Sequence, residues 1–162
     1  MDFSKLNKMI IDAVEKSFEE IFKEAETILL AALKDFPEHY LPCYNLRVLY
    51  IKTKETDKAI PFLLKAEKLK PNDYDICIEA AFAFAQCRKK EKALEYYNKA
   101  LAYADSNHAK AVIYNNIGVL FFEDNDFLKA KEYYKKALLE EEYPLARENL
   151  VLANTYIDIT NC

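Results

Sequence analysis

The chain has 162 residues, of which 52% are hydrophobic, and its 23 basic and 27 acidic side chains give a formal net charge of −4. This apolar content excludes a disordered chain, and the acidic balance argues against nucleic-acid binders, which usually carry a basic stripe that displaces phosphate counterions. With one glycine, five prolines and abundant lysine, glutamate, alanine and leucine, the composition predicts an all-α protein.

A ten-residue phrase occurs twice in the second half of the chain. KALEYYNKAL at 92–101 returns as KAKEYYKKAL at 129–138, with eight of the ten letters identical. Weaker copies begin at Lys58 and Glu24. Repetition at a fixed period predicts stacked helix pairs in a single domain, because each unit can bury its apolar face only against the next. The predicted 34-residue units are about 6–39, 40–73, 74–107 and 111–144, followed by a helix over 145–159.

Two positions of this frame hold alanine in every unit. They lie seven residues apart, which is two helical turns, so both face the same side of the second helix of each unit. Small side chains there let neighbouring helices approach closely. The eight residues are Ala25, Ala32, Ala59, Ala66, Ala93, Ala100, Ala130 and Ala137.

The fourth unit carries the most complete pattern of conspicuous residues. They are Tyr114, Ile117, Gly118, Phe121, Ala130, Tyr134 and Ala137. This pattern resembles the tetratricopeptide repeat, which reads W-x2-L-G-x2-Y, then A-x3-F, then a proline near the end of the unit. The resemblance covers residues 6 to about 159. It implies a right-handed α-α superhelix of about four tetratricopeptide helix pairs plus a C-terminal capping helix.

The first two units depart from the pattern. Asp12 and Lys16 stand at apolar positions of unit one, and a shift of one residue, which places Ala13 there instead, repairs most of the mismatch. In unit two Arg47 holds a position that is usually small, which predicts looser helix packing. Pro61 falls inside the second helix of that unit, where it removes one backbone hydrogen bond.

The sequence offers no convincing catalytic or metal site. Asp105, Ser106 and His108 are triad residue types, but near-consecutive residues rarely align in space, so a polar connection between repeats is favoured. There are only two histidines and no C-x2-C pair, so we expect no metal and no cofactor. The acidic segment before Phe127 lacks the glycine and distal glutamate of an EF-hand and predicts a turn, with Asn125 or Asp126 as a helix cap. The sequence therefore predicts a protein that is not an enzyme.

Location follows from the cysteines and from the lack of membrane signals. No apolar run approaches the ~18–20 residues that cross a bilayer, and no secretory signal is visible at the start. Four cysteines, at positions 43, 77, 87 and 162, have no paired spacing, which predicts reduced thiols, buried at Cys43 and Cys77. We expect a cytoplasmic protein with neither a membrane nor a nucleic-acid partner.

The family resemblance also implies a ligand site, because the first helix of each tetratricopeptide repeat lines a concave groove. Arrays with asparagine at the sixth position, here Asn45 and Asn116, hold an extended peptide by its backbone, since one amide both donates and accepts. The carboxylate clamp of chaperone-binding members is absent, because Asp75 and Glu79 occupy two of its positions. The predicted peptide-binding residues are Tyr44, Asn45, Val48, Ile78, Glu79, Phe82, Asn115, Asn116, Val119 and Phe122.

Three interpretations of this groove follow. The first is a non-enzymatic adaptor that binds an extended or helical segment of a partner protein or peptide. The second is a self-assembling homo-oligomeric scaffold, because the final helix carries an apolar stripe that includes Leu145, Leu152, Tyr156 and Ile159. The third is a narrow groove that the chain itself fills. We expect the adaptor, since large exposed apolar surfaces usually mark an interaction site.

Overall fold

The computed structural model describes residues 3–18 and 21–160, and over these ranges it contains α-helices and no β-strand. The all-α prediction is confirmed. The helices of the described residues are α1 (Ser4–Phe18), α2 (Phe22–Asp35), α3 (Tyr40–Lys52), α4 (Thr56–Leu69), α5 (Tyr74–Gln86), α6 (Lys90–Tyr103), α7 (Asn107–Glu123), α8 (Phe127–Glu140) and α9 (Pro144–Thr160).

The helices group into two compact units, Met1–Arg88 with α1 to α5 and Lys89–Cys162 with α6 to α9. In the first unit each helix packs against the next along the chain, and α1 also contacts α3. In the second unit successive helices pack in the same way, and α7 also contacts α9. Contacts confined to near neighbours are what stacked helix pairs produce.

The eight recurring alanines lie in the core. None of them is more than 1% exposed. Ala66 packs with Cys43 and Ile76 in the first unit, and Ala137 packs with Ala111 in the second. The prediction that these positions serve helix packing is confirmed.

Gly118 lets α7 approach α8 closely. A Cβ atom at this position would stand 2.5 Å from Cε1 of Tyr134, well inside van der Waals contact. The Tyr134 ring is itself buried and has little room to withdraw. The glycine is thus required by packing, because a larger residue would force the two helices apart.

Polar side chains cap the starts of α5, α7 and α8, whereas within the described residues α2, α4 and α6 have no side-chain cap. The Asp73 carboxylate accepts the Ile76 N–H at 3.1 Å at the start of α5, and the Ser106 hydroxyl accepts the Ala109 N–H at 3.2 Å at the start of α7. Asp126 accepts the Lys129 N–H at 3.2 Å, which confirms the predicted cap of α8. Ser106 therefore satisfies a helix end, as a polar connection between repeats would.

The departures in the first two repeats are accommodated locally. Ala13 is buried whereas Asp12 is exposed, in agreement with the register shifted by one residue. Pro61 is exposed within α4, which continues through it from Thr56 to Leu69. Arg47 is buried rather than displaced to the surface.

Two tyrosines, Tyr97 and Tyr134, occupy the same position in successive repeats and are both buried. Burial, with a smaller contribution from the Glu123 carboxylate, raises the pKa of Tyr134 to about 12. The same causes raise the pKa of Tyr97. Both rings thus favour the neutral phenol in the folded state.

Stability should therefore fall in alkali. An unfolded tyrosine ionises near pH 10, so the contribution of Tyr134 is complete below pH 10 and is lost as the pH rises toward its folded pKa of about 12. Over that interval the free energy of unfolding of the wild type should fall more steeply than that of Tyr134→Phe, by about 1.4 kcal/mol per pH unit. Urea unfolding at pH 8, 10 and 11 would measure this difference. Tyr156→Phe, at an exposed ring, is the control, and equal pH slopes for Tyr134→Phe and the wild type would contradict the prediction.

Candidate functional site

Six of the ten predicted site residues lie on α3 and α5 in the first compact unit. Tyr44 is 37% exposed, Val48 38% and Phe82 43%, which is high for large apolar side chains. Ile78, one helical turn before Phe82 on α5, is half-buried. We call the side of the two helices that carries Tyr44, Val48 and Phe82 the α3–α5 surface. It offers apolar area that a partner could remove from water.

An ion pair between buried Arg47 and half-buried Glu79 joins α3 to α5. Arg47, which is 6% exposed, pairs through Nη1 with Glu79 Oε2, and its guanidinium carbon lies 4.3 Å from the centroid of the Tyr44 ring. Within the described residues the other guanidinium nitrogens, Nε and Nη2, have no hydrogen-bond partner. Burial raises the pKa of Glu79, although the positive charge of Arg47 opposes it. Glu79 is therefore already paired with Arg47. The place in unit two where looser packing was predicted is filled by the Arg47 side chain.

The three predicted asparagines are in different states. Asn45 donates through Nδ2 to the Leu41 carbonyl at 2.9 Å, which leaves its Oδ1 as an acceptor. Asn115 is 1% exposed and accepts a hydrogen bond from Asn149 Nδ2 of α9 at 2.9 Å. Asn116 is half-buried, and its side chain forms no hydrogen bond within residues 3–18 and 21–160. Only Asn116 thus keeps both its donor and its acceptor for a ligand.

In the second unit α9 covers part of the predicted α7 side. Val119 and Phe122 are half-buried and pack against a core cluster that includes Tyr134 and Ala153. The Phe122 ring centroid lies 5.3 Å from that of Tyr156 on α9. The most exposed apolar residues of the predicted set therefore belong to the α3–α5 surface.

A cavity of about 310 Å³ opens between α1 and α3, and we call it the apolar cavity. Lys52 stands at its edge, where Nζ donates to the Ser17 carbonyl at 2.5 Å and lies 5.4 Å from the Phe18 ring centroid. Of the four α1 residues in the lining, the sequence offers only Val14 as a groove candidate; the degenerate pattern of the first repeat leaves Ala13, Ser17 and Phe18 unassigned. The lining residues are Ala13, Val14, Ser17, Phe18, Leu29, Asn45, Val48, Leu49 and Lys52.

A second cavity of about 310 Å³ lies at the N-terminal ends of α3 and α5, and we call it the acidic cavity. Lys70 Nζ is 2.5 Å from Asp73 Oδ2 and 5.1 Å from the Tyr40 ring centroid. Burial opposes ionisation of Asp73, but hydrogen bonds from Lys70 and from the Ile76 N–H lower its pKa overall. The cavity therefore holds ionised carboxylate beside aromatic rings. It is lined by Tyr40, Leu41, Tyr44, Lys70, Asp73, Asp75 and Ile76.

Metal sites and membrane spans are both absent from the part of the chain that the structure describes. That part contains no group of three or more histidine, cysteine, aspartate or glutamate side chains that could hold a metal. None of its helices is long and apolar enough to cross a membrane. Cys43 and Cys77 are buried, as predicted, and Cys87 is half-buried; among the described residues these cysteines form no disulfide. Cys162 lies outside the described residues.

Comparison with known proteins agrees with the repeat pattern. Family models described as tetratricopeptide repeats match residues 42–73 and 75–138. The chain is 27% identical over 86 residues to anaphase-promoting complex subunit 3 of Schizosaccharomyces pombe, covering 53% of this chain and 13% of that protein. It is 32% identical over 134 residues to the protein O-mannosyl-transferase TMTC1 of Mus musculus, covering 79% of this chain and 14% of that protein. The chain thus spans about one seventh of the length of these curated relatives.

A solved structure supports the fold. A crystal structure of MamA protein superposes with a TM-score of 0.81 at 19% identity, covering 95% of this chain and 84% of that chain. At this identity the likeness concerns the arrangement of the helices and carries no information about ligands.

Proposed function

Because the chain belongs to the tetratricopeptide repeat family, we propose that it is a non-enzymatic adaptor that binds an extended or helical segment of a partner protein in the groove of its repeats. The observation that carries the proposal is the α3–α5 surface, where Tyr44, Val48 and Phe82 are exposed beside two cavities. Burying such side chains against a partner yields roughly 25 cal/mol per Å² of apolar area.

The α3–α5 surface is formed by helices that are already ordered before a partner binds. The exposed residues stand on helices whose opposite sides are buried, for example at Cys43 and Leu46 of α3. Little binding energy is then lost to ordering the receptor. In the second unit, the Asn116 amide can donate to and accept from one residue of a backbone bound there, which suits an extended segment.

We assign the chain no transferase activity, although one relative is named as a transferase. The shared segment is 14% of that relative, and Ser106, a residue considered for catalysis, caps α7 in this chain. The cysteines of the described residues form no disulfide, which supports the proposal of a cytoplasmic location.

The proposal predicts that replacing Asn116 and replacing Asn45 lower the affinity for the partner by different amounts. Asn116→Ala should weaken partner binding more than Asn45→Ala does, because the Asn45 amide already donates to Leu41 within its own helix. Each lost ligand hydrogen bond should cost about 0.5–1.5 kcal/mol, or roughly two- to tenfold in affinity. A pull-down from lysate of the source organism, quantified by mass spectrometry, would identify the partner, and titration with the purified partner would give the ratios.

The control is Asn98→Ala, at an exposed position of α6, the second helix of its repeat. A partner whose affinity is the same for all three variants would show that the asparagines do not line the binding site. Lowered stability with unchanged binding in Asn116→Ala would contradict the groove assignment as well.

The alternative is a self-assembling scaffold, and one observation favours it. Helix α9 exposes Leu145, Val151, Leu152 and Ile159, where a soluble helix normally carries polar residues. Recovery of the protein itself as the only bound species, with a mass that rises with concentration in sedimentation, would favour the scaffold. A monomer at all concentrations would exclude it.

A further inference from the structure

We propose that the bound segment carries two anchoring side chains about four residues apart, a lysine or arginine in the acidic cavity and a large apolar residue in the apolar cavity. The inference rests on the proposed function and specifies the chemical class of partner that the groove selects.

The acidic cavity has the groups that hold a cation. The Asp75 carboxylate is exposed and forms no ion pair within the described residues, while the Asp73 carboxylate contacts Lys70. The rings of Tyr40 and Tyr44 line the same cavity. An ammonium or guanidinium group is attracted both by a carboxylate and by the face of an aromatic ring.

Lys70 is an example, within the chain itself, of a cation held by a carboxylate and an aromatic ring of this cavity. Its ammonium group already lies against the Asp73 carboxylate and 5.1 Å from the Tyr40 ring centroid. The two aspartates and one lysine of the lining leave one net negative charge. Arg47 beside Tyr44 does not alter this balance, because it is paired with Glu79. A second cation is therefore needed to neutralise the cavity, whereas a carboxylate would be repelled.

The apolar cavity suits an uncharged side chain. Its lining includes buried Ala13, Leu29 and Leu49 and the less buried Val14 and Val48. The ammonium group of Lys52, also in the lining, already donates to the Ser17 carbonyl. A cavity of ~150 Å³ lined by apolar side chains can hold benzene. The 310 Å³ present here therefore accommodates a phenylalanine, leucine or methionine side chain.

The spacing of the anchors follows from α3, which both cavities share. The α3 residues of the two linings are centred about seven residues apart, or ~10 Å along the helix axis. The acidic cavity lies on the α5 side of α3 and the apolar cavity on its α1 side. Across the helix axis this separates them by roughly the spacing of packed helices, 8–10 Å. The two centres are then about 13–14 Å apart, which about four residues of extended chain can span.

Selection from a random twelve-residue peptide library displayed on phage tests the inference. Peptides enriched on the immobilised wild-type protein should carry lysine or arginine about four positions from phenylalanine, leucine or methionine. Asp75→Lys should lower the affinity for the best such peptide about tenfold and should shift a new selection toward acidic residues, while the apolar anchor is retained. Asp57→Lys changes the net charge equally on an exposed position of α4, and its affinity should equal that of the wild type.

The outcomes separate the two proposals. If no peptide is enriched above blank support, the proposed peptide-binding function fails and this inference fails with it. If peptides are enriched without a basic residue, or if Asp75→Lys and Asp57→Lys lose affinity equally, peptide binding stands and the basic anchor is refuted. Both variants should fold, because both substitutions are at exposed positions, and circular dichroism would check this.

Discussion

Replacing Glu79 with leucine should lower the free energy of unfolding by about 3–5 kcal/mol, the cost of leaving a buried charge without its partner. Arg47 is 6% exposed, so its guanidinium cannot regain water without leaving its place against Tyr44. Two of its nitrogens already lack hydrogen-bond partners among the described residues, and the substitution would remove the contact of the third. Urea unfolding followed by circular dichroism at pH 7 would measure the change.

The double variant Arg47→Met, Glu79→Leu is the matched control. It should unfold at or above the wild-type urea concentration, because both charges are removed together and no buried donor is left unsatisfied. The raised pKa of Glu79 points the same way, since it shows that burial disfavours the carboxylate despite Arg47. Wild-type stability of the single variant Glu79→Leu would mean that the guanidinium is solvated and the ion pair is not buried.

Much of the fold could be predicted from the sequence because each repeat contains the same local information. The alanine pair two turns apart fixes the buried side of each second helix, and Asp126 shows where α8 begins. Helix ends were less certain. The frame places the fourth unit at about 111, whereas α7 begins at Asn107, because Ser106 caps it and the extra residues extend the helix by one turn.

The candidate site was predictable only in part. Exposure of Tyr44, Val48 and Phe82 agrees with their repeat positions, since position within a helix determines which side a residue faces. The burial of Asn115 depends on Asn149, one repeat later, and on the packing of α9 against α7. Such contacts depend on which helices are neighbours, and a periodic pattern within one repeat does not contain that information.

The pair of Arg47 and Glu79 illustrates the same limit. Read alone, an arginine at a position that is usually small predicts loose packing. Once α3 and α5 are known to be neighbours, a carboxylate on the next repeat gives the guanidinium a partner. Opposite charges on adjacent first helices were the signal that could have found it.

Ala130→Leu should lower the free energy of unfolding by about 1–3 kcal/mol through overpacking. Ala130 is fully buried on α8, in one cluster with Tyr134 and with Ala153 of α9. The added atoms would press on this cluster, in which the Tyr134 ring already lies against Gly118, so that even one extra carbon at Gly118 would come within 2.5 Å of the ring. The strain must therefore separate helices of the second unit.

Ala102→Leu provides the matched control, since the same atoms are added on an exposed position of α6. Its free energy of unfolding should stay within about 0.5 kcal/mol of the wild type. Urea unfolding of the two variants separates overpacking from any general effect of an added leucine. If both variants unfolded at the same urea concentration as the wild type, the recurring alanines would not determine how closely α7, α8 and α9 approach. If only Ala130→Leu were destabilised, the small side chain would be shown to be a requirement of the stacked repeats rather than a result of composition.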